Sequence, residues 1–221
     1  MHFQIFKKEC DFNKIGGYDD IKEIVRRALD SEDNYNLLFT GPPASAKTLF
    51  LLGITERERK GVYFDGSNMT NRILDILKEH RPKIICIDEI DKMPRQFQEK
   101  LLNFMESGRV KVDQMRKSYD FEIKGAKIFA TSNDITRLSK PLQSRFRRLH
   151  LPPYTEEQFM DVSVKVLPRL KDTTARIIGS AVWDQKSKDI RDVISIGKLL
   201  RKNDGPIEIE QIIKTMIKYY A

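Results

Sequence analysis

Residues 36–48 read NLLFTGPPASAKT, a short apolar run that stops at Gly41 and continues through a proline-containing turn to Lys47 and Thr48. The apolar run predicts a buried strand, and the spacing of apolar residues after Lys47 predicts a helix. A strand, a glycine-containing loop and a helix, in this order, form the context in which backbone N–H groups and a helix N-terminus hold phosphate. Residues 41–48 are therefore predicted to form a phosphate-binding loop.

The residue types in this loop each have a chemical reason. Lys47 would reach the β- and γ-phosphates of a nucleotide, and the Thr48 hydroxyl would bind Mg²⁺. Ala44 and Ala46 stand where such loops commonly carry glycine, so the backbone must keep ordinary dihedral angles there or carry strain. Taken alone, the loop leaves a chance turn before a helix as the alternative. The residues predicted to line the nucleotide are Gly41, Pro42, Pro43, Ala44, Ser45, Ala46, Lys47, Thr48 and Leu49.

A second apolar run, KIICI at residues 83–87, predicts a strand that delivers the two carboxylates Asp88 and Glu89. Open parallel sheets bind their ligands at the carboxyl ends of the strands. Asp88 is predicted to hold Mg²⁺ through water, and Glu89 to orient or deprotonate the attacking water. An Asp-Glu pair after a strand is common by itself. Two such motifs in this order predict a site for ATP and Mg²⁺.

Predicted strands and helices alternate along the chain as far as Pro153. The predicted helices are 19–30, 47–57, one around 73–77 and 95–106; the predicted strands are 36–40, 62–64, 83–87, 126–131 and 149–151. Ser107-Gly108 predicts a glycine cap after the fourth helix. A polar hairpin is expected, with arms at 109–113 and 119–123. This alternation predicts an α/β fold with a parallel sheet covered by helices on both faces.

After Pro152-Pro153 the strand pattern disappears. Four helical stretches remain, at 155–170, 172–184, 189–202 and 208–220, and Thr155 with Gln158 has the spacing of a capping box. The sequence therefore predicts an α/β nucleotide-binding domain at residues 1–153, followed by a small all-α lid domain at residues 154–221.

The composition excludes several classes of protein. With 40% hydrophobic and 33% charged residues, the 221-residue chain is too polar for a fibre, and no run approaches the roughly 20 apolar residues of a membrane helix. The start has no apolar signal-peptide run, so a cytoplasmic location without membrane contact is expected. Two cysteines suggest neither a disulfide scaffold nor a zinc site. The net charge of +8 favours a polyanionic partner, although many basic surfaces bind nothing in particular.

These motifs resemble those of the AAA+ ATPases over almost the whole chain. The segment IGGY at residues 15–18 resembles the one on the adenine side of the nucleotide, which implies nucleotide contacts for Ile15 and Gly16. Thr131-Ser132-Asn133 resembles the family's sensor 1, which implies that Asn133 helps to position the attacking water beside Glu89. A helix N-cap or a turn is the alternative reading of Asn133.

The segment PLQSRF at residues 141–146 resembles the one that carries the family's arginine finger. The resemblance implies that Arg145 acts in trans, on the γ-phosphate bound by the neighbouring copy in a homo-oligomeric ring such as a hexamer. Such a cation is worth roughly 10³ to 10⁵ in rate. Arg147 or Arg148 is the alternative finger, and a solvated basic turn is the alternative to a finger altogether.

Arg191, near the start of the third helix of the predicted lid, stands where the family has its sensor 2 arginine. This position implies contact with the γ-phosphate in cis and coupling of the lid angle to the nucleotide. An ion pair with Asp189 or Asp192 is the ordinary alternative.

The predicted hairpin at 109–123 resembles the presensor-1 hairpin of the branch that includes the RuvB Holliday-junction motor and the minichromosome maintenance helicases. Ala46 looks more like the second group, whereas the short segment 65–83 and the compact lid look closer to RuvB. The RuvB family follows its lid with a winged-helix DNA-binding domain, and this sequence ends at Ala221. If DNA is contacted, the hairpin tip with Arg116 and Lys117 is the expected element, through phosphate contacts that do not depend on base sequence.

Three hypotheses follow for the function. The first is a RuvB-like DNA-remodelling or branch-migration motor that hydrolyses Mg-ATP in a ring. The second is a protein-remodelling or assembly ATPase whose hairpin binds a protein, including a DNA-binding partner. The third is a nucleotide-dependent switch with little turnover, suggested by Ala44 and Ala46. The hairpin could equally pack against the next subunit.

Overall fold

The computed structural model describes residues 12, 15–43, 45–57, 61–114, 117–185, 188–201 and 204–219. Ala44, Arg116 and the side chain of Lys117, which figure in the predictions above, lie outside this description. Within the described set, one compact unit comprises residues 12, 19–41 and 47–151, and a second comprises residues 15–18, 42–46 and 152–219. The predicted division into a domain at residues 1–153 and a domain at residues 154–221 stays a prediction.

The strands, in chain order, are β1 Leu37–Thr40, β2 Val62–Asp65, β3 Ile84–Asp88, β4 Arg109–Gln114, β5 Lys117–Glu122, β6 Lys127–Ser132 and β7 Arg147–His150. The helices are α1 Asp19–Asp30, α2 Lys47–Arg57, α3 Arg72–His80, α4 Arg95–Ser107, α5 Lys140–Ser144, α6 Glu156–Val166, α7 Asp172–Trp183, α8 Ile190–Leu199 and α9 Pro206–Tyr219. Short 3₁₀ turns occupy Gly66–Asn68, Ile90–Lys92 and Ile135–Arg137.

Five strands of the described residues form one parallel sheet in the order β2-β3-β6-β1-β7. The three central strands are almost wholly buried, as expected for a sheet covered by helices on both faces. Helices α6 to α9 form the carboxyl-terminal part of the second unit. The predicted α/β class, with a parallel sheet flanked by helices and followed by a helical part, is confirmed.

Helix ends follow the local signals in the sequence. Gly108 has φ 67° and donates its N–H to the Phe104 carbonyl at 2.8 Å, so the predicted glycine cap is confirmed. The predicted capping box of Thr155 and Gln158 is also confirmed. Arg81 adopts a left-handed conformation and ends α3 directly before Pro82.

Several predicted boundaries are wrong, and among them the helices predicted at 155–170 and 189–202 end at Val166 and Leu199. The last strand of the sheet is Arg147–His150 rather than 149–151, because Arg147 and Arg148 can lie on an edge strand with their side chains in solvent. The hairpin arms are also longer than predicted. They pair from Arg109 with Glu122 to Gln114 with Lys117, and residues 115 and 116 between the arms lie outside the described residues.

The hairpin β4–β5 has one buried face and one charged face. Val110, Tyr119 and Phe121 pack into the hydrophobic core of the first unit, and the Tyr119 hydroxyl donates to Asp75 Oδ1 at 3.0 Å. On the exposed face the Arg109 guanidinium donates two bonds to Asp120, each of 2.6 Å. No helix among the described residues has the length and apolar character needed to cross a membrane.

Candidate nucleotide and metal site

Thr48 and Asp88 lie together at the carboxyl edge of the sheet. Thr48, the last residue of the predicted phosphate loop, lies in the first turn of α2, and Asp88 is the last residue of β3. The Thr48 hydroxyl donates to Asp88 Oδ2 at 3.0 Å. The two side chains follow strands β1 and β3, which are not neighbours in the sheet because β6 lies between them. The structure thus brings together the two side chains predicted to hold Mg²⁺.

Lys47 is the first residue of α2 and is only 5% exposed. Its ammonium group donates to the Gly41 carbonyl at 2.9 Å, so the charge is held at the start of the loop. Gly41 has φ 150°, a backbone conformation that residues with a side chain rarely adopt. Leu49, the last predicted nucleotide contact of this segment, is partly buried in the first turn of α2.

The loop residues 42–46 belong to the second unit. Pro42 is partly buried, Pro43 is exposed, and the Ser45 hydroxyl donates to the Pro42 carbonyl at 3.0 Å. Ala46 is buried, and it is not among the non-glycine residues of the described chain that have positive φ. Ala46 therefore does not have the positive φ that would strain its backbone. Ordinary dihedral angles were one of the two predicted alternatives.

Three hydroxyl groups from three different elements converge on the Asp88 carboxylate. Besides Thr48, the Tyr63 hydroxyl of β2 donates to Oδ2 at 2.6 Å, and the Thr131 hydroxyl of β6 donates to Oδ1. Burial and the bond to Asp88 raise the pKa of the Tyr63 phenol well above its usual value, so this group stays a donor at neutral pH. Neither Tyr63 nor Thr131 was assigned this contact from the sequence.

Glu89 has its backbone fixed in an unusual conformation. Its φ and ψ are 50° and 48°, a left-handed geometry that costs about 1 to 2 kcal/mol for a residue with a side chain. Its N–H donates to Thr131 Oγ1 at 2.8 Å, and its carbonyl accepts the Lys92 N–H at 2.8 Å. A Cβ atom at Gly66 would lie 2.4 Å from that carbonyl oxygen. The conformation therefore requires glycine at position 66, which the sequence alone did not reveal.

The Glu89 side chain is less constrained than its backbone. Its Oε2 accepts a bond of 2.7 Å from the Lys92 ammonium, and both side chains are partly exposed. The bond to Glu89 raises the pKa of Lys92, which therefore keeps its charge at neutral pH. A partly exposed carboxylate next to Asp88 can face an attacking water, as predicted for Glu89.

Asn133 follows β6 and has an exposed side chain. Its N–H donates to Asp91 Oδ1 at 3.2 Å, and Asp91 is buried in the turn after Glu89. The 3₁₀ turn that follows is capped by Asp134, which accepts the Thr136 N–H. The cap half of the alternative for Asn133 is therefore wrong, whereas the turn-residue reading and the role beside Glu89 both stay predictions.

All three candidate finger arginines lie on the surface. Arg145 ends α5 and forms an ion pair with Glu106 of α4, with both side chains nearly half exposed. Arg148 donates to Gln143 Oε1 at 3.1 Å, and Arg147 is exposed on the edge strand β7. The choice among them stays a prediction.

The remaining predicted contacts lie in the second unit. Ile15 and Gly16 are buried, and a Cβ atom at Gly16 would lie 2.4 Å from Val162 Cγ2 of α6. Arg191 donates two side-chain bonds, of 2.6 and 2.9 Å, to Asp189 Oδ2. The predicted ion-pair alternative is therefore the arrangement of Arg191 in this structure.

The oxygen donors around Asp88 fit magnesium. A carboxylate offers about four lone-pair positions, and the three hydroxyls leave capacity for a bond from a metal-bound water. Mg²⁺ prefers oxygen ligands and is commonly held by one or two carboxylates together with substrate phosphates. The described residues contain no group of three His, Cys, Asp or Glu side chains that could hold a metal ion by themselves.

Comparison with known proteins identifies related sequences. The family model described as "ATPase family associated with various cellular activities (AAA)" matches residues 37–154. The Holliday junction branch migration complex subunit RuvB of Rhodopirellula baltica is 25% identical over 163 residues, which cover 67% of this chain and 44% of that protein. Replication factor C subunit 4 of Encephalitozoon cuniculi is 24% identical and covers 92% of this chain and 66% of its own length.

A third relative is the proteasome-activating nucleotidase of Methanocella arvoryzae, which is 23% identical over 84% of this chain and 52% of that protein. Among solved structures, a mutant RuvB of Thermotoga maritima matches with a TM-score of 0.67 at 20% identity, over 91% of this chain and 69% of that one. This similarity shows the fold. The chain spans 44% and 66% of the lengths of the first two relatives.

Proposed function

The chain belongs to the AAA family of ATPases, and from this premise we propose that it binds Mg-ATP at the carboxyl edge of its sheet and hydrolyses it as part of a ring. The observation that carries the proposal is the 3.0 Å bond between Thr48 and Asp88. This bond joins the end of the phosphate loop to the end of β3 at the edge where open parallel sheets bind ligands.

The side chains divide the work of hydrolysis. Lys47 would move its ammonium group from the Gly41 carbonyl to the β- and γ-phosphates. Thr48 and Asp88 would hold Mg²⁺, the latter through water, and Mg²⁺ when bound would neutralise charge on the phosphates. Glu89 would orient or deprotonate the attacking water, with Asn133 beside it. The strained Glu89 backbone fits this role, because strain often concentrates at functional sites.

Arg145 is proposed to act in trans on the nucleotide of a neighbouring copy. To do so it must leave Glu106, its partner within the chain. Mixing Arg145→Ala with Lys47→Ala chains should restore part of the ATPase activity, because some interfaces then combine an intact Lys47 with an intact Arg145. If both variants assemble but no ratio restores activity, Arg145 does not act in trans.

DNA is the proposed substrate of the motor, in the manner suggested by the RuvB relatives and by the net charge of +8. The exposed face of the described hairpin limits where DNA could bind. Arg109 is neutralised by Asp120, and Lys111 stands opposite the same carboxylate in the hairpin register. We therefore propose that any phosphate contact is made by the predicted tip residues Arg116 and Lys117, which lie outside the described side chains, rather than by the hairpin face.

ATP turnover measured with and without branched DNA, over a range of chain concentrations, tests the proposal. Turnover should rise with chain concentration as subunits assemble, and branched DNA should stimulate it at low salt but less at high salt. An ATPase rate at low salt that single-stranded, duplex and branched DNA all leave unchanged would count heavily against the DNA motor. Turnover below about 1 per minute per chain under all conditions would instead favour the switch.

A protein-remodelling ATPase is the second candidate, and the charge-balanced hairpin face favours it. A face on which Arg109 is already paired has little net charge to offer phosphate, but it can contact a polypeptide. Trapping the ATP-bound state with Glu89→Gln should then recover a protein partner that is absent with Lys47→Ala. Recovery of the same proteins with both variants would count against this candidate. The cytoplasmic location inferred from the sequence stays a prediction in either case.

A further inference from the structure

Tyr63 is placed by the parallel pairing of β2 and β3 on the side of the sheet that carries Asp88. In the register of these strands Tyr63 is opposite Cys86, and Asp65 is opposite Asp88. Side chains two residues apart on a strand share a face, so Tyr63, Cys86 and Asp88 point to the same side. The Tyr63 ring lies along that face, and its hydroxyl is 2.6 Å from Asp88 Oδ2.

The Tyr63 ring does not fill the core. Phe64, the next residue of β2, is 9% exposed and packs in the hydrophobic cluster of the first unit, whereas Tyr63 is 36% exposed. Burial of the ring therefore explains little of why an aromatic residue stands here. The hydroxyl bond to Asp88 is the contact that distinguishes tyrosine from phenylalanine at this position.

An aspartate carboxylate does not fix its own plane, because the terminal torsion of this side chain has a broad, roughly two-fold preference. Bonds to both oxygens are needed to hold it. Thr131 binds Oδ1, while Tyr63 and Thr48 both bind Oδ2. Tyr63 thus fixes the oxygen that lies beside the Thr48 hydroxyl, the other predicted magnesium ligand.

We propose that Tyr63 is a positioning residue of the magnesium site, which holds the Asp88 carboxylate in the orientation that serves the metal. The inference rests on the proposed Mg-ATP function and adds to it a residue that touches neither metal nor nucleotide. Groups that hydrogen-bond to a metal ligand and fix its orientation commonly contribute 10- to 100-fold to metal affinity. Because Thr48 and Thr131 remain in place, we expect an effect near the lower end of that range for loss of the hydroxyl.

Manganese titrations in the presence of a non-hydrolysable ATP analogue, followed by electron paramagnetic resonance, provide the test. Tyr63→Phe should weaken Mn²⁺ binding about tenfold and leave binding of the analogue without metal unchanged. Tyr35→Phe is the matched control, since Tyr35 is similarly exposed at 39% and lies in the same unit. It should change neither quantity.

Wild-type Mn²⁺ affinity in Tyr63→Phe would overturn the inference. Equal weakening of analogue binding with and without metal would overturn it too, because the ring would then support the fold rather than the metal. Both results leave the proposed function intact if the wild-type chain binds Mn²⁺ only together with the analogue. Absence of analogue-dependent Mn²⁺ binding in the wild-type chain would remove the proposed function, and the role of Tyr63 with it.

Discussion

The charged side chains that were proposed from the sequence to act on metal or nucleotide are held in two different ways. Asp88 is bound by neutral hydroxyls from α2, β2 and β6, three elements far apart in the sequence. Arg145 and Arg191 are instead paired with carboxylates of their own unit, Glu106 and Asp189, and these guanidinium groups are largely or half exposed. The first arrangement is organised in advance, whereas the second has to change before either arginine can bind phosphate.

The difference has an energetic basis. Neutral hydroxyl donors leave the negative charge of the Asp88 carboxylate uncompensated, so it can still attract a metal ion. Each hydrogen bond to a charged group contributes about 1.5 to 3 kcal/mol to stability. Exposed ion pairs contribute only about 0 to 1 kcal/mol, so an arginine can leave its partner at little cost. A firmly held Asp88 carboxylate and weakly held arginines would suit the proposed ATPase cycle, in which the arginines respond to the nucleotide.

Replacing Asp88 with Asn should have the largest effect. The amide group cannot accept at Nδ2, so at least one of the three hydroxyl donors loses its acceptor and the metal loses a negative charge. We expect ATP turnover to fall at least about 100-fold, with Mg²⁺-dependent nucleotide binding lost and metal-free binding kept. Isothermal calorimetry with and without Mg²⁺ measures these two nucleotide affinities. Asp161→Asn, on the exposed surface of α6, is the control.

Unchanged turnover in Asp88→Asn would contradict the assignment of the metal site. Loss of nucleotide binding with and without Mg²⁺ would indicate instead that Asp88 supports the phosphate loop.

Thr131→Val should have an intermediate effect. The substitution keeps the shape of a side chain that is 1% exposed, but it removes the donor to Asp88 and the acceptor of the Glu89 N–H. Leaving a buried N–H unpaired should lower the free energy of unfolding by about 1 to 3 kcal/mol. Urea denaturation measures this change, and turnover should fall with it because Glu89 is no longer held in its left-handed conformation.

Thr131→Ser keeps the hydroxyl and provides the control for the previous variant. It should retain most of the turnover. If Thr131→Ser and Thr131→Val lose activity equally, the Thr131 hydroxyl does not hold Asp88 and Glu89 in place.

Glu106→Gln should have the smallest effect. Breaking an exposed ion pair should change the free energy of unfolding by less than about 1 kcal/mol. Because Arg145 is then released from its partner, turnover in the assembled state should stay at the wild-type level or rise by about twofold, a difference of less than 1 kcal/mol in the barrier. A large loss of turnover would mean that Glu106 orients Arg145 rather than competing for it.

The local signals in the sequence determined much of the fold. The loop 41–48, the carboxylates at 88 and 89, the glycine cap at Gly108 and the capping box at Thr155 each depend on residues close together in the chain. Their positions in the chain follow from neighbouring residues, and the sequence contains that information. The boundaries of β7 were missed because pairing with β1 outweighed the polarity of Arg147 and Arg148.

Only the tertiary structure decided how distant residues share the site. The order β2-β3-β6-β1-β7 places Thr131 next to Asp88 and lays Tyr63 along the same face, and neither the order nor the register of parallel strands can be read from one sequence. The need for glycine at position 66 likewise arises from the Glu89 carbonyl across a tertiary contact. Local propensity acts over a few residues, whereas the site is assembled from elements separated by dozens of residues, which sheet pairing and the packing of α2 bring together.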